Sequence, residues 1–191
     1  MRLAPTPRAP RLSRASVIFF FYGALAVASI MWSALRGHPD IYRGPSSTLI
    51  KMVLSPLCGV ALGLTVVFLS RLSVHRFEWA RVLHREFHAL VHELSSKEIF
   101  TLALASSIGE ELFFRGALLP VVGLWPSTLL FSLLHLRPQA RFLPWTAMSF
   151  ILGLVMGAMF MWLGDLSGPI VAHFTINLLN LDYIAKTELR E

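Results

Sequence analysis

The sequence predicts an all-α polytopic membrane protein with about six transmembrane helices and one amphipathic helix at the membrane surface. Of its 191 residues, 55% are hydrophobic, a larger fraction than in soluble domains. The mean hydropathy is +0.63. The formal net charge is +6, and most basic residues lie between the hydrophobic runs. This distribution is typical of cytoplasmic loops and does not favour nucleic-acid binding.

The hydrophobic runs are separated by turn-forming Gly and Pro, including Pro120. A helix needs about 20 apolar residues to cross a bilayer core, and one run, 124–136, is shorter than that. A signal peptide is the competing interpretation of the first run, but the run exceeds the roughly 7–15 apolar residues of such a peptide. The six runs lie at 17–35, 52–70, 99–119, 124–136, 145–163 and 169–185.

Four segments follow from this pattern. Residues 1–14 are basic, rich in proline and free of acidic residues, which predicts a disordered N-terminal arm. Residues 15–73 hold the first two predicted transmembrane helices. Residues 74–185 hold the remaining predicted helices, which form the membrane core, and residues 186–191 form a short cytoplasmic tail.

The positions of the basic residues predict that both termini are cytoplasmic. If the N-terminus is inside, only Arg36, Arg43 and Lys51 of the 17 Lys and Arg residues fall in outer loops. Basic residues are enriched in cytoplasmic loops, so this orientation is favoured over the reverse.

Segment 74–95 is amphipathic and is predicted to lie on the inner leaflet as an interfacial helix. His84, His88 and His92 recur every four residues on one face of it. A solvated or headgroup-facing stripe is the favoured interpretation of these histidines, and metal binding is the alternative.

Three ionisable residues lie within the third hydrophobic run, namely Glu110, Glu111 and Arg115. A charged side chain at the centre of a transmembrane helix costs roughly 2.5–3.5 kcal/mol on insertion scales, so such residues usually serve a function. Glu111 and Arg115 are four residues apart and can pair. Glu110 points about 100° away around the helix and is left for another task.

Further polar residues occur in the fourth and sixth runs. His135 lies near the end of the fourth, and His173 and Asn177 are four residues apart in the sixth, so these two share one face. Each taken singly is more often a hydrogen-bonded core residue. Their occurrence with Glu110 on separate helices predicts a shared polar cavity in the membrane.

This set of residues allows hydrolysis of an amide without a covalent intermediate. A desolvated glutamate can act as a general base, and a neutral histidine can help to hold and deprotonate water. A second histidine and an asparagine amide can donate to an oxyanion. The sequence has no H-E-x-x-H zinc motif and no serine in a G-x-S-x-G turn, so these other protease chemistries fit less well.

The order of the polar motifs resembles that of a known family. The motifs on successive predicted helices are Glu110-Glu111-x-x-x-Arg115, Phe131-x-x-x-His135 and His173-x-x-x-Asn177. They resemble the three motifs of the CAAX-protease and bacteriocin-processing (CPBP or ABI) family, which is related to type II CAAX prenyl endopeptidases. The resemblance covers about residues 80–181.

The resemblance implies an intramembrane glutamic-type peptidase. By motif position, Glu110 is the general base, His135 helps to activate water, and His173 and Asn177 form the oxyanion site. The resemblance also implies a supporting set: Glu111 and Arg115 as an orienting pair, together with Phe131.

The resemblance leaves one alternative for the chemistry, which is a zinc ion at Glu110, His135 and His173. A metal-free mechanism is favoured, because His173 with Asn177 suits an oxyanion better than a cation. No cofactor is therefore expected.

The expected partners are the lipid bilayer and a membrane-associated peptide or protein substrate, with no nucleic acid. The short chain, without an evident retention signal of the endoplasmic reticulum, favours the bacterial inner membrane. Candidate substrates are prenylated C-terminal peptides, leader peptides and C-terminal sorting tails. The alternatives are a non-catalytic immunity or scaffold protein, and a proton-coupled transport accessory, which the lack of repeat symmetry disfavours.

Overall fold

The computed structural model describes residues 14–189, and nearly all of this part is helical. No β-strand occurs within these residues, where Arg43 and Asp165 form an isolated antiparallel bridge. The predicted all-α fold is therefore confirmed. The predicted basic arm lies outside the described residues except for Arg14, which begins the first helix.

Each of the six predicted hydrophobic runs coincides with helical structure, except that the fourth run, 124–136, extends two residues past the end of its helix. Helix α4 continues without a break through a π-helical segment into the single turn α5, and α7 is preceded by a 3-10 turn at Ala140–Phe142. The helices are α1 Arg14–Leu35, α2 Leu49–Arg76, α3 Glu78–Val91, α4 Ser96–Glu111, the π segment Leu112–Leu118, α5 Leu119–Val122, α6 Leu124–Leu134, α7 Leu143–Leu163 and α8 Ser167–Lys186.

Three helices in the described residues are long and apolar enough to cross a membrane, namely α1, α2 and α7 with its preceding turn. Large hydrophobic side chains such as Phe20 and Phe21 of α1 are exposed, as suits contact with lipid. Helix α6 has 11 residues. At about 1.5 Å per residue, α6 reaches only part of the way across a core of about 30 Å. The number of six spans stays a prediction.

Helices α2 and α8 approach each other closely through small residues. A Cβ added to Gly59 of α2 would overlap the backbone of Gly168 in α8, and one added to Gly63 would lie 2.7 Å from Cβ of Thr175. Small residues at such contacts let two membrane helices pack backbone to backbone. Ser55 of α2 accepts a hydrogen bond from the backbone N of Gly168 at 2.9 Å. Helix α8, which carries His173, is thereby fixed against α2.

Two ion pairs connect the start of α1, helix α3 and the α6–α7 loop at one end of the bundle. Arg14 at the start of α1 pairs with Glu93 just after α3 at 3.1 Å. Arg141 in the loop before α7 pairs with Glu86 of α3 at 3.0 Å. These contacts place the start of α1, helix α3 and the α6–α7 loop on the same side, as the predicted topology requires. That this side is cytoplasmic stays a prediction.

Helix α3 corresponds to the predicted amphipathic segment, but the prediction for its histidines is wrong in part. His84 is 3% exposed, and its Nε2 donates to the carbonyl of Thr187 at 2.7 Å. Nδ1 of His88 donates to the carbonyl of Ile184 at 2.6 Å. These two side chains bind the last carbonyls of α8, which otherwise have no partner within their helix. Of the three histidines, only His92 is exposed.

Candidate active site

The ion pair predicted from the spacing of Glu111 and Arg115 is present and buried. Arg115 Nη1 lies 2.8 Å from Glu111 Oε1, and their side chains are 2% and 0% exposed. Arg115 Nη2 donates to the carbonyl of Gly153 on α7 at 3.4 Å. The guanidinium also lies 4.4 Å from the centre of the Phe131 ring. Arg115 thus joins the π segment to α6 and α7.

The π segment begins directly after Glu111 and contains Arg115. A π-helix widens the turn by one residue, and such segments are frequent at functional sites. Pro120 follows and has no backbone N–H, which removes one bond of the regular helix ladder there. Pro120 does not end the helix, contrary to the prediction. The helix ends at Gly123, whose positive φ of 83° favours glycine.

Glu111 has a second partner, His173 of α8. His173 Nδ1 donates to Glu111 Oε1 at 2.8 Å, across 62 residues of sequence. The same carboxylate oxygen therefore accepts from both Arg115 and His173. A hydrogen-bonded carboxylate fixes the orientation of a histidine ring, and here it leaves Nε2 directed toward Glu110.

The two oxygens of Glu110 have different surroundings. Oε1 accepts a hydrogen bond from the hydroxyl of Tyr22 on α1 at 3.0 Å. Oε2 is buried and has no hydrogen-bond partner among residues 14–189, and it lies 3.9 Å from His173 Nε2. This distance is too long for a direct hydrogen bond, but one water can bond to both atoms across it.

His135 differs from its predicted place inside a helix, because α6 ends at Leu134 and His135 is the C-cap. Its Nδ1 lies 2.8 Å from the carbonyl oxygen of Phe131. A carbonyl only accepts, so Nδ1 carries the hydrogen and a neutral ring keeps a lone pair on Nε2. The ring packs between Phe131 and Trp145, with centroid distances of 4.6 and 5.0 Å.

Phe131 is the apolar centre of the site. Its ring centroid lies 4.6 Å from that of His135 and 6.3 Å from that of His173. It also packs edge-on against Phe114 of the π segment at 5.1 Å. The side chain is 3% exposed, so both histidines pack against a buried apolar ring.

Asn177 lies one turn along α8 from His173 and has a partner of its own. Its Nδ2 donates to the hydroxyl of Ser106 on α4 at 3.1 Å. Ser106 is 3% exposed and lies four residues before Glu110, on the same face of α4. The motifs of α4, α6 and α8 are thus brought together around Glu111 and Phe131, with Asn177 at one edge.

Two site residues were not predicted from the sequence, Tyr22 and Ser106. Ser106 could have been found as a small polar residue that lies on the same face of an apolar helix as Glu110. Tyr22 follows three phenylalanines in α1 and has no spacing relation to the motifs. Its contact depends on how α1 packs against α4.

The proposed zinc ligands do not fit a metal ion as they are arranged. Within residues 14–189, no three His, Cys, Asp or Glu side chains are grouped so as to hold a metal. No step of the mechanism is therefore derived through zinc.

Buried ionisable groups at the meeting point of apolar helices define an integral membrane protein with a polar site inside its bundle. Residues 94–179 match the family model described as "Type II CAAX prenyl endopeptidase Rce1-like". This segment contains all three motifs, and the family that it matches is the CAAX-protease family. The predicted resemblance is confirmed.

One relative is a Bacillus subtilis (strain 168) protein, "Uncharacterized protein YpbD". It is 41% identical to this chain over 86 residues, which is 44% of this chain and 43% of the relative. The match therefore spans less than half the length of either protein. No solved structure matches the chain.

Proposed function

We propose that this chain is a CAAX-type intramembrane endopeptidase that hydrolyses a peptide bond with water activated by Glu110 and His135. The observation that carries the proposal is the buried Oε2 of Glu110, which has no hydrogen-bond partner among residues 14–189 and lies 3.9 Å from His173 Nε2. Glu111 Oε2 also lacks a partner in these residues, but the other oxygen of Glu111 is bonded to both Arg115 and His173. An unpartnered buried carboxylate oxygen costs free energy, and such groups are concentrated at functional sites. The family of residues 94–179 supports the same activity.

In the proposed reaction, Glu110 Oε2 accepts a proton from a water whose oxygen bonds to the substrate carbonyl carbon. The resulting tetrahedral intermediate carries its negative charge on the former carbonyl oxygen. When the intermediate collapses, the C–N bond breaks and the departing nitrogen takes the proton from Glu110. No covalent bond to the enzyme forms.

His135 holds the attacking water in this mechanism. Its Nδ1 hydrogen is committed to the carbonyl of Phe131, so Nε2 of the neutral ring accepts a hydrogen bond. His135 and His173 both pack against the ring of Phe131, with centroid distances of 4.6 and 6.3 Å. A water bonded to both Glu110 and His135 is oriented by two acceptors, which directs an oxygen lone pair to the substrate.

His173 and Asn177 stabilise the oxyanion. Donation from His173 Nε2 requires hydrogens on both ring nitrogens, because Nδ1 already donates to Glu111. A doubly protonated His173 and Arg115 together balance the charges of the two glutamates, which favours this state in a buried site. The amide nitrogen of Asn177 has a second hydrogen besides the one bonded to Ser106.

The substrate in this proposal carries its scissile bond next to a membrane-embedded or lipidated segment. The site lies among apolar helices, and the family model that matches residues 94–179 describes type II CAAX prenyl endopeptidases. The candidates are prenylated C-terminal peptides, leader peptides and C-terminal sorting tails. The proposed location is the bacterial inner membrane with both termini in the cytoplasm.

A panel of three membrane-anchored peptides tests this function. A farnesylated C-terminal peptide, a leader peptide and a sorting-tail peptide are each placed in liposomes with the purified protein, and the products are identified by mass spectrometry. We expect cleavage of one class at a single bond, at a rate about 10²–10³-fold lower with His173→Ala. Absence of cleavage of all three by folded wild-type protein contradicts the proposal.

The same preparation tests the metal-free mechanism. We expect no stoichiometric zinc by elemental analysis, and cleavage that persists after prolonged chelation. One bound zinc that is lost together with activity in His135→Ala would overturn the metal-free mechanism and leave the protease assignment standing.

A further inference from the structure

Tyr22 of α1 contacts the candidate base from outside the segment that matches the protease family. Its hydroxyl donates to Glu110 Oε1 at 3.0 Å, across 88 residues of sequence. The family match covers residues 94–179, so neither the motifs nor the match assign Tyr22 a role.

Close packing of α1 against α4 delivers this hydroxyl. A Cβ added to Gly109 would lie 3.0 Å from the carbonyl oxygen of Tyr22 and 3.1 Å from its Cβ and Cδ1. Gly109 therefore lets the α1 backbone approach the residue before Glu110. At this separation of the two backbones, the side chain of Tyr22 is long enough for its hydroxyl to reach the carboxylate of Glu110.

The charged and titratable groups near Glu110 come from several helices. Glu111 and Arg115 lie on its own helical segment, His173 on α8 and His135 at the end of α6. Tyr22 is the one side chain among residues 14–189 that donates a hydrogen bond to Glu110. The terminal torsion of a glutamate is broad and roughly two-fold, so without a donor either oxygen can occupy either position.

We propose that Tyr22 is a positioning residue for peptide hydrolysis, whose hydroxyl holds Glu110 Oε1 so that Oε2 faces the water site beside His173. This inference rests on the proposed role of Glu110 as the general base. It makes α1 part of the catalytic unit, since removal of the hydroxyl leaves the base present but without a fixed orientation.

Tyr22→Phe removes only the hydroxyl and tests the inference. A hydrogen bond to a charged group corresponds to a factor of roughly 10 to 100, so we expect kcat to fall on the order of 10-fold or more. KM and the unfolding temperature should stay at the wild-type values, because the ring still packs. Tyr42→Phe, in the exposed loop between α1 and α2, is the matched control and should keep wild-type kcat.

Gly109→Ala supplies a second test that does not depend on the Phe variant alone. The added methyl displaces Tyr22 and lowers kcat through the same hydrogen bond. In the double variant with Tyr22→Phe that bond is already absent, so kcat should fall no further than in the more affected single variant. Independent, multiplying losses in the double variant would contradict the inference.

The outcomes separate this inference from the proposed function. Wild-type kcat in Tyr22→Phe, with Glu110→Gln inactive, overturns the role of Tyr22 and leaves the protease mechanism intact. A loss of kcat that comes with a lower unfolding temperature also overturns it, because the role is then structural. Full activity of Glu110→Gln overturns both.

Discussion

Glu110 and Glu111 are adjacent in α4, but their carboxylates are held in different ways. Glu111 Oε1 accepts hydrogen bonds from Arg115 and His173, each at 2.8 Å. Glu110 accepts one hydrogen bond, from the neutral hydroxyl of Tyr22. In the described residues, Oε2 of each glutamate is buried without a hydrogen-bond partner, so the two differ in what their Oε1 atoms bind. Glu111 is thus bound to two cationic partners, and Glu110 is the carboxylate left for the proposed proton transfer.

At the residue scale, Arg115→Ala should destabilise the protein as well as lower its activity. The substitution leaves Glu111 as a buried charge whose remaining partner is His173, which costs about 3–5 kcal/mol. Thermal unfolding in detergent measures the loss. Arg141→Ala breaks the half-exposed pair with Glu86 and should change stability by less than about 1 kcal/mol. An Arg115→Ala protein that is as stable and active as wild type would show that the Glu111–Arg115 pair contributes nothing to the stability of the fold.

The proposed oxyanion donors have a distinct kinetic signature. His173→Ala and Asn177→Ala should each lower kcat by about 10²–10³-fold with little change in KM, because the charge that they bind develops only in the transition state. Steady-state kinetics on the cleaved peptide measures both constants. Asn180→Ala, which removes a hydrogen bond to Arg71 of α2, is the control on the same helix and should affect stability rather than kcat. A rise in KM at constant kcat in the His173 or Asn177 variant would assign those residues to substrate binding.

Spacing within one helix was enough to predict the Glu111–Arg115 pair, because residues four apart face each other on any α-helix. Contacts between helices could not be predicted in this way. The bond from Tyr22 to Glu110 joins residues 88 apart, and the bond from Asn177 to Ser106 joins residues 71 apart. Both depend on how the helices pack, which hydrophobic periodicity does not report.

At the element scale, helix positions followed the hydrophobic runs, but helix ends and local geometry did not. Pro120 is predicted to lie in a turn, whereas it lies in α5, directly after the π segment, and the helix continues to Val122. His135 is predicted to lie inside a span, although α6 ends one residue before it. The end of α6 matters for the site, because His135 lies at the C-cap and not within the helix. In that position its ring packs against Trp145 of α7.

Helix α3 contacts the C-terminal end of α8. We expect the stability that this contact provides to depend on pH. Burial lowers the pKa of His84, which donates to the carbonyl of Thr187. A buried histidine with a lowered pKa binds fewer protons folded than unfolded, so stability is lost as the pH falls below about 6.5, the unfolded value. We expect the unfolding temperature to drop between pH 8 and pH 5.5, and to drop less in His84→Gln. His92→Gln, at the exposed position, is the control, and an equal drop in wild type and His84→Gln would contradict this role.

At the scale of the whole molecule, the site is assembled from four separate helical segments. Tyr22 comes from α1, Glu110 from α4, His135 from the end of α6 and His173 from α8. No single segment carries the whole site, so the proposed hydrolysis requires a folded bundle. This requirement explains why buried polar groups, which are costly in a membrane, are concentrated at one place.

Contacts between loops show which loops lie on the same side of the bundle. The bridge between Arg43 and Asp165 puts the α1–α2 and α7–α8 loops on one side, which is predicted to be the outside. In a Cys58→Ser background, an impermeant thiol reagent should label His38→Cys in intact cells and Gln139→Cys only after permeabilisation. The reverse pattern would invert the orientation that the basic residues predict.

The central claim is that Glu110 acts as the general base, and the turnover of Glu110→Gln on the cleaved peptide tests it most directly. Glutamine keeps the shape of the side chain but does not accept a proton, so kcat should fall by at least about 10²–10⁴-fold while the protein stays inserted and folded. Glu93→Gln, at an exposed position after α3, should keep wild-type turnover. Wild-type turnover by Glu110→Gln would contradict the account.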